Sequence, residues 1–438
     1  RVGAATVGSL ALRPFGLLPA LAQSGADYRA LVCVFLFGGN DSNNTVIPMD
    51  DVNYKAYQSI RGSLALSGSN LTPIVTSNTG APFAFHDKLA EVASLFSSKE
   101  LSVVANVGPL VQPLTRSQYQ AAQAATIPLN LFSHADQQLA WQTSMAQGHS
   151  PTGWAGRAAD YIASASINSS SFPTFFSVAG NSLEGTGAST QQVALAPGQS
   201  MKLNGPAAGI SAIDSLLTTN SGMSLVQAAN DTLSHSITDA AALATALSKS
   251  TKLKTIFPTT SIGEQLQQVA QIIQVQQYLG MRRQIFFCSL GGFDTHAGEL
   301  EAHNTLYPQL SPALAAFYAA TQELNMAQNV TTFTESDFSR TFQPTTTDGS
   351  DHAWGSHHLV LGGAVQGGQI FGQFPTFELG GPNDTDTRGR WIPTTSIDQY
   401  GATLCSWFGI PASALAAVFP NLANFPTSNL GFLTPPAS

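Results

Sequence analysis

The chain has 438 residues, only 10% of them charged, and carries a formal net charge of −8 at pH 7. Soluble domains have about 25% charged residues, so the surface is built mainly from uncharged polar side chains. So few cations cannot neutralise many phosphates, which argues against nucleic acid and anionic membranes as partners.

Residues 1–23 have the pattern of an export signal. They open on an arginine, continue through a small and apolar stretch, and close with Ala20-Leu21-Ala22, a small-x-small cleavage pattern. The pattern is typical of the end of a twin-arginine signal; the alternative is an N-terminal helix packed on the domain. We expect a periplasmic, cell-surface or extracellular bacterial protein that begins near Gln23. No other apolar run approaches the roughly 20 residues of a transmembrane segment.

Short apolar runs along the chain predict β-strands that are buried on both faces. These runs cover residues 31–37, 101–107, 173–178, 285–290, 330–334 and 359–361. Helical patterns lie between several of them, at 88–97, 207–218, 262–282 and 310–325. The order predicts an α/β fold, a doubly wound mostly parallel sheet with helices on both faces. We expect one domain over residues 24–438, with a loop and helix insertion at about 164–282.

The three cysteines are odd in number and have no CxxC spacing. They therefore predict neither a disulfide framework nor a thiolate metal site. Cys33 and Cys288 lie inside apolar runs, which is typical of buried small hydrophobic residues.

Carboxylates follow three of the predicted strands. Asp41 lies in a glycine and asparagine loop after the first strand, Asp294 and His296 follow the run 285–290, and Asp337 follows the run 330–334. Carboxyl ends of parallel strands share one edge of a sheet, where ligands bind. One such aspartate is ordinarily a turn former, but three loops of this kind favour a common site.

Histidines concentrate near the end of this region. Five of the nine histidines fall within residues 296–358, and the segment from Asp351 to His358 is the densest part. Imidazole with carboxylate suits zinc or another first-row divalent ion, whereas carboxylates alone would suit calcium or magnesium better. The alternative for each histidine is a hydrogen-bonded structural role.

Several long motifs resemble the domain-of-unknown-function 1501 family of exported bacterial proteins. The motifs are LVCVFLFGGNDSNNTVIP, GGFDTHAGEL, SDFSRT, DHAWGSHHLVLGGAVQGGQIFGQFP and RGRWIPTTSIDQYGATLCSWFG. The resemblance extends from Ala30 to about Pro420. That family is similar to the alkaline phosphatase and sulfatase superfamily, which implies a doubly wound sheet with a metal centre at its carboxyl edge.

The resemblance implies a set of metal ligands, with His357 as a competitor for the last of them. The implied ligands are Asp41, Asp294, His296, Asp337, Asp351, His352 and His358. Asp337 stands where the family more often has glutamate, and Ala353 where it has glycine.

The resemblance also implies a serine, threonine or formylglycine nucleophile at a helix N-terminus. Ser133, followed by His134, is the best candidate, and its alternative role is to cap the helix that it opens. No CxPxR signature occurs, which disfavours a standard type I sulfatase. Arg340 and Arg116 are candidate oxyanion partners, because guanidinium matches phosphate or sulfate at two points.

These features favour an exported metal-dependent hydrolase that acts on a phosphate or sulfate ester, either a small molecule or a polysaccharide. The alternative is a secreted or cell-surface binding or structural protein that keeps the fold without turnover. The low-charge surface and the insertion rich in serine, glycine and threonine are also typical of that class.

Overall fold

The computed structural model describes residues 27–121, 125–198, 206–219 and 222–435. The export signal expected over residues 1–23 lies outside these ranges. Among the described residues, no helix is both long and apolar enough to span a lipid bilayer.

Strands and helices alternate along most of the chain. The strands are β1 Arg29–Phe37, β2 Val46–Pro48, β3 Leu71–Val75, β4 Pro82–His86, β5 Leu101–Gly108, β6 Phe175–Ser177, β7 Gln192–Ala194, β8 Arg283–Gly291, β9 Val330–Ser336, β10 Ser356–Leu361, β11 Ile370–Gly372 and β12 Thr395–Ser396. The helices are α1 Asp51–Arg61, α2 Ala90–Ser97, α3 Arg116–Gln120, α4 His134–Thr143, α5 Trp154–Ser164, α6 Ala207–Leu217, α7 Ser224–Leu247, α8 Ser261–Gln274, α9 Glu299–Glu323, α10 Ile397–Phe408 and α11 Ala412–Val418.

The described strands include a nine-stranded sheet in the order β11-β5-β10-β9-β1-β8-β6-β7, with β12 also paired to β5. Strand β1 pairs in parallel with β8 and β9, whereas β10 runs antiparallel to β9 and β5. The first residue of β10 therefore lies at the edge where β1, β8 and β9 end. The predicted α/β class with a large mostly parallel sheet is confirmed.

Both faces of the sheet are covered, which explains the continuous hydrophobicity of the strands. In β1, Leu31, Cys33 and Phe35 pack with residues of α5, α10 and α11. The alternate residues Val32 and Val34 pack with residues of α2, α8 and α9. Burying one such aliphatic side chain contributes about 1.5–3 kcal/mol, so a polar residue on either face of β1 would be destabilising.

The predicted insertion region contributes to the sheet as well as to its surroundings. Strands β6 and β7 extend the large sheet beyond β8, and α6 and α7 follow them. A separate three-stranded antiparallel sheet has the order β2-β4-β3. Cys33, Cys288 and Cys405 are buried, as the apolar runs around Cys33 and Cys288 predict for those two.

Candidate metal centre

Three histidines surround one carboxylate oxygen at the carboxyl edge of the sheet. The Nε2 atoms of His134, His296 and His352 lie 3.3, 3.1 and 3.3 Å from Asp294 Oδ1. The Nε2 atoms of His296 and His352 are 2.9 Å apart. In a tetrahedral zinc site with bonds of about 2.0–2.1 Å, ligand atoms lie about 3.3 Å apart. Ligand atoms of His134, Asp294 and His352 all lie within 4.8 Å of one another, which is close enough for a shared ion. His296 contacts two of these residues, and we call the four residues the metal centre.

Three separate segments supply the metal centre. Asp294 and His296 lie in the loop after β8, His352 precedes β10, and His134 is the first residue of α4. Gly38, just after β1, has φ of +110° and passes so close to the Asp294 amide that a Cβ atom would clash with it. Glycine is required there because it tolerates positive φ and has no side chain.

Each histidine is held by a second hydrogen bond on the far side of its ring. The Nδ1 atoms of His134 and His296 face Asp337 Oδ2 at 2.7 Å and Asp351 Oδ1 at 3.2 Å. His352 Nδ1 faces the Phe132 carbonyl at 2.7 Å. We call Asp337, Asp351 and the Phe132 carbonyl the outer acceptors. They place the proton on Nδ1 and direct the Nε2 lone pair of each ring at the centre.

The donor set of the metal centre combines imidazole nitrogens with a carboxylate oxygen. Three imidazole lone pairs and a carboxylate oxygen converge, and His134 Nε2 is buried with no hydrogen-bond partner among the described residues. Burial works against ionisation of Asp294, but the Arg340 hydrogen bond and charge, with His134 and His296, hold its pKa below the ordinary value. The carboxylate is therefore ionised at neutral pH, and these residues fit a divalent metal ion.

The mouth of the metal centre is open and lined by two arginines. The side chains of Asp294 and His296 are each 46% exposed. Arg388 Nη1 donates to Asp351 Oδ2 at 2.6 Å, and Arg390 Nε donates to the His352 carbonyl at 2.8 Å. Both guanidinium groups are partly exposed. Neither arginine stands out as a candidate from the sequence alone, although the motif RGRW contains both.

The segment before α4 has a strained backbone. Asn130 and Phe132 have φ of +46° and +72°, and such positions cost about 1–3 kcal/mol each. This conformation brings the Phe132 carbonyl to His352, while the Phe132 ring lies 4.7 Å from the Arg390 guanidinium. The strain is therefore located where it orients a residue of the metal centre.

The structure places Ser133 as the cap of α4. Its Oγ accepts a hydrogen bond from the Asp136 amide and donates one to Asp136 Oδ2 at 2.6 Å. This is the capping role that the sequence left open beside nucleophilic attack.

The two arginines predicted as oxyanion partners have other contacts. Arg340 is fully buried and donates to Asp294 Oδ1 at 2.8 Å and to the Ser350 carbonyl. It therefore supports a residue of the metal centre instead of facing a substrate. Arg116 donates to the Asp386 carbonyl at 2.9 Å.

Four of the implied metal ligands lie outside the centre itself. Asp337 and Asp351 contact its histidines from behind, as outer acceptors. Asp41 is buried against Arg61, whose guanidinium also contacts Glu299.

His358 is the fourth implied ligand outside the metal centre, because it lies within β10. It pairs opposite Val104 of β5, and its ring packs 4.7 Å from Trp141. Because β10 is antiparallel to β9 and β5, the chain moves away from the carboxyl edge of the sheet after His352. The competitor His357 accepts a hydrogen bond from the Asn106 amide at 2.9 Å.

Solved structures with some likeness to this chain share little sequence with it. Ps i-CgsB in complex with k-i-k-neocarrahexaose is 9% identical, with 89% of this chain and 72% of that chain covered and a TM-score of 0.32. A second structure of Ps i-CgsB is 7% identical, with 90% and 72% covered and a TM-score of 0.35. The PH0037 protein from Pyrococcus horikoshii is 11% identical, with 83% and 88% covered and a TM-score of 0.27. TM-scores this low carry no argument about fold or function.

No curated protein matches the chain. A family model described as "Protein of unknown function (DUF1501)" matches residues 28–386. Because this match covers most of the chain, the protein belongs to the DUF1501 family.

Proposed function

We propose that the protein is an exported, metal-dependent hydrolase that acts on a phosphate or sulfate ester. The observation that carries the proposal is the convergence of three imidazole nitrogens on Asp294 Oδ1 at 3.1–3.3 Å. Histidines that bind a catalytic metal ion ordinarily donate their other N–H to a carboxylate or carbonyl, and all three histidines of the metal centre do so.

The donor set favours zinc or another first-row divalent ion. Imidazole nitrogens with one carboxylate suit such ions, whereas calcium and magnesium take oxygen ligands. His134, Asp294, His296 and His352 would hold the ion. When bound, it supplies Lewis-acid polarisation of an ester oxygen and activation of water.

The mouth of the metal centre supports an anionic substrate. Arg388 contacts Asp351, the outer acceptor of His296. Arg390 contacts the His352 carbonyl and Asp386. They are two of only 18 lysines and arginines in the chain. Guanidinium pairs with phosphate or sulfate through two parallel hydrogen bonds. We propose that these two arginines bind the ester anion and orient it toward the metal centre.

The nucleophile that we propose is water. Ser133 Oγ is engaged with Asp136 at the end of α4, so its hydroxyl proton already has an acceptor. Export is supported by the signal pattern in residues 1–23. An alkaline phosphatase-like arrangement is supported by the motif resemblance and by a metal centre at the carboxyl edge of the sheet.

A screen of aryl phosphates and aryl sulfates tests the proposal. Metal-stripped protein would be reloaded separately with zinc, manganese, calcium and magnesium before each assay. We expect turnover with a first-row ion, its loss in His352→Ala, and its retention in His235→Ala, which alters an exposed histidine of α7. An ion that binds without turnover of any ester would favour the binding-protein alternative. Failure to bind any of these ions would contradict the proposal.

A further inference from the structure

A second cluster of potential metal ligands is buried behind the metal centre. Ligand atoms of Asp41, Glu299 and His303 all lie within 4.8 Å of one another, and the three residues are fully buried. We propose that the Arg61 guanidinium is the resident cation of this cluster, so that the protein takes one divalent ion per chain and not two. The ion count rests on the proposed function; the role of Arg61 does not.

The chemistry of this cluster requires a cation. Two carboxylates and an imidazole could ligate a divalent ion as the metal centre does. Both ring nitrogens of His303 lack a hydrogen-bond partner among the described residues. The ring stacks on Tyr307 with centroids 4.8 Å apart. A positive charge beside two carboxylates at this depth offsets part of the cost of burying them.

Arg61, the last residue of α1, supplies that charge. Its Nη2 donates to Glu299 Oε1 at 3.0 Å and also to Asp41 Oδ2. Its Nη1 lies 3.1 and 3.3 Å from the carbonyls of Thr341 and Phe342. A metal ion that displaced Arg61 would leave a buried cation unpaired, which is strongly destabilising.

The Arg61 cluster, meaning Arg61 with Asp41, Glu299 and His303, is joined to the metal centre through polar contacts. Glu299 Oε2 accepts from Thr295 Oγ1 at 2.9 Å and from Ser350 Oγ. The Ser350 carbonyl accepts from Arg340, which in turn holds Asp294. Asp41 thus lies at the far end of a chain of alternating charges and supports the centre from behind.

Zinc counting tests the inference. Tag-free, full-length protein would be stripped, reloaded with excess zinc and desalted, and zinc would be measured against the sulfur of its three cysteines and six methionines. We expect one zinc per chain in the parent protein and one additional zinc in Arg61→Ala. The matched control is Arg283→Ala, which removes another buried guanidinium, one that contacts Asp27 and the Phe408 carbonyl. This control should keep the parent count.

Two results would overturn the inference. One is a parent protein with two zinc ions, one of them lost in His303→Ala; the other is a folded Arg61→Ala protein that gains no zinc. If Arg61→Ala fails to fold, the first comparison decides, and equal counts of one in the parent and His303→Ala support the inference. A parent protein without zinc would contradict the proposed function, yet Arg61→Ala should still gain one ion.

Discussion

Each histidine of the metal centre makes an inner and an outer polar contact, and the outer contact decides where the inner nitrogen points. The Asp337 carboxylate shows this most clearly. Its Oδ2 accepts from His134 Nδ1 at 2.7 Å and from Gln138 Nε2 at 2.8 Å. An amide in its place would turn one N–H group toward donors, so the His134 ring would lose its orientation.

Asp337→Asn should therefore weaken zinc binding about 10–100-fold, the usual loss when an outer partner of a metal ligand is changed. Competition with a chromophoric chelator measures the affinity. Asp136→Asn is the control, because Asp136 contacts Ser133 and Asn130 near the same helix end without contacting the metal centre. Equal affinity in the parent and Asp337→Asn would show that Asp337 does not orient His134.

Ser133→Ala tests the capping role. Loss of a serine cap costs about 1 kcal/mol, so urea unfolding should show a drop of that size. Ester turnover should be retained, because the proposed nucleophile is water. If turnover disappears while zinc remains bound, Ser133 is the nucleophile and the proposed chemistry must change.

At the scale of single residues, the sequence indicated which loops lie together. It did not indicate which side chains face the centre and which lie behind its histidines. The sequence predicted one cluster of Asp41, Asp294, His296, Asp337 and His352. In the structure Asp294, His296 and His352 lie together, whereas Asp41 lies against Arg61. Asp337 and Asp351 come from the same loops but contact the outer nitrogens. Spacing along the chain cannot separate a ligand from its outer partner, since this depends on side-chain directions a few ångströms apart.

Among the elements, β10 has a direction that the sequence does not reveal. The prediction placed a short strand at 359–361 without a direction, because a short apolar run has no polarity. In the structure β10 is antiparallel to β9, so the residues before it lie at the carboxyl edge. Because of this direction, His352 lies at the carboxyl edge, whereas His358 lies within the sheet.

Helix α9 and the small sheet were also hard to predict. The sequence predicted a helix from residue 310, whereas α9 begins at Glu299 and contains Pro308 and Pro312. Proline ordinarily disrupts a helix interior, so the sequence pattern did not predict the first turns of α9. Strands β3 and β4 are short, partly exposed and contain prolines, which removes the signal of a buried strand.

The turn after β1 offers a test at the scale of elements. Gly38→Ala would place a side chain against the Asp294 amide at a φ of +110°. The strain alone costs about 1–3 kcal/mol, and relief of the clash would displace the loop that carries Asp294. We expect lower stability in urea and loss of zinc binding.

Gly291→Ala is the matched control for this turn. It lies at the end of β8, and a Cβ atom there meets open space. It should leave both stability and zinc binding close to the parent values. Equal behaviour of the two variants would contradict the close packing of the β1 turn against the metal centre.

At the scale of the whole molecule, buried carboxyl groups make stability depend on pH. Cys33, Glu184 and Glu335 meet within one covered face of the sheet. Burial raises the pKa of Glu184 from 4.5 to about 8 and also raises that of Glu335. The folded state therefore favours the protonated acid, and its contribution to stability is full below about pH 4.5 and is lost as pH rises toward about 8.

The free energy of unfolding should accordingly fall between about pH 5 and about pH 8 relative to Glu184→Gln, which has no proton to lose. Urea unfolding at several pH values measures this difference. Glu301→Gln, which changes an exposed glutamate of α9, should keep the pH dependence of the parent. A parallel pH profile in the parent and Glu184→Gln would contradict the protonated state of Glu184.

The central claim is that His134, Asp294, His296 and His352 hold one divalent ion. Anomalous diffraction from zinc-loaded crystals, recorded on both sides of the zinc absorption edge, tests it most directly. We predict one peak bonded to the three Nε2 atoms and to Asp294 Oδ1 at about 2.0–2.2 Å. A zinc peak elsewhere in the molecule, with these four residues unligated at full zinc loading, would contradict the account.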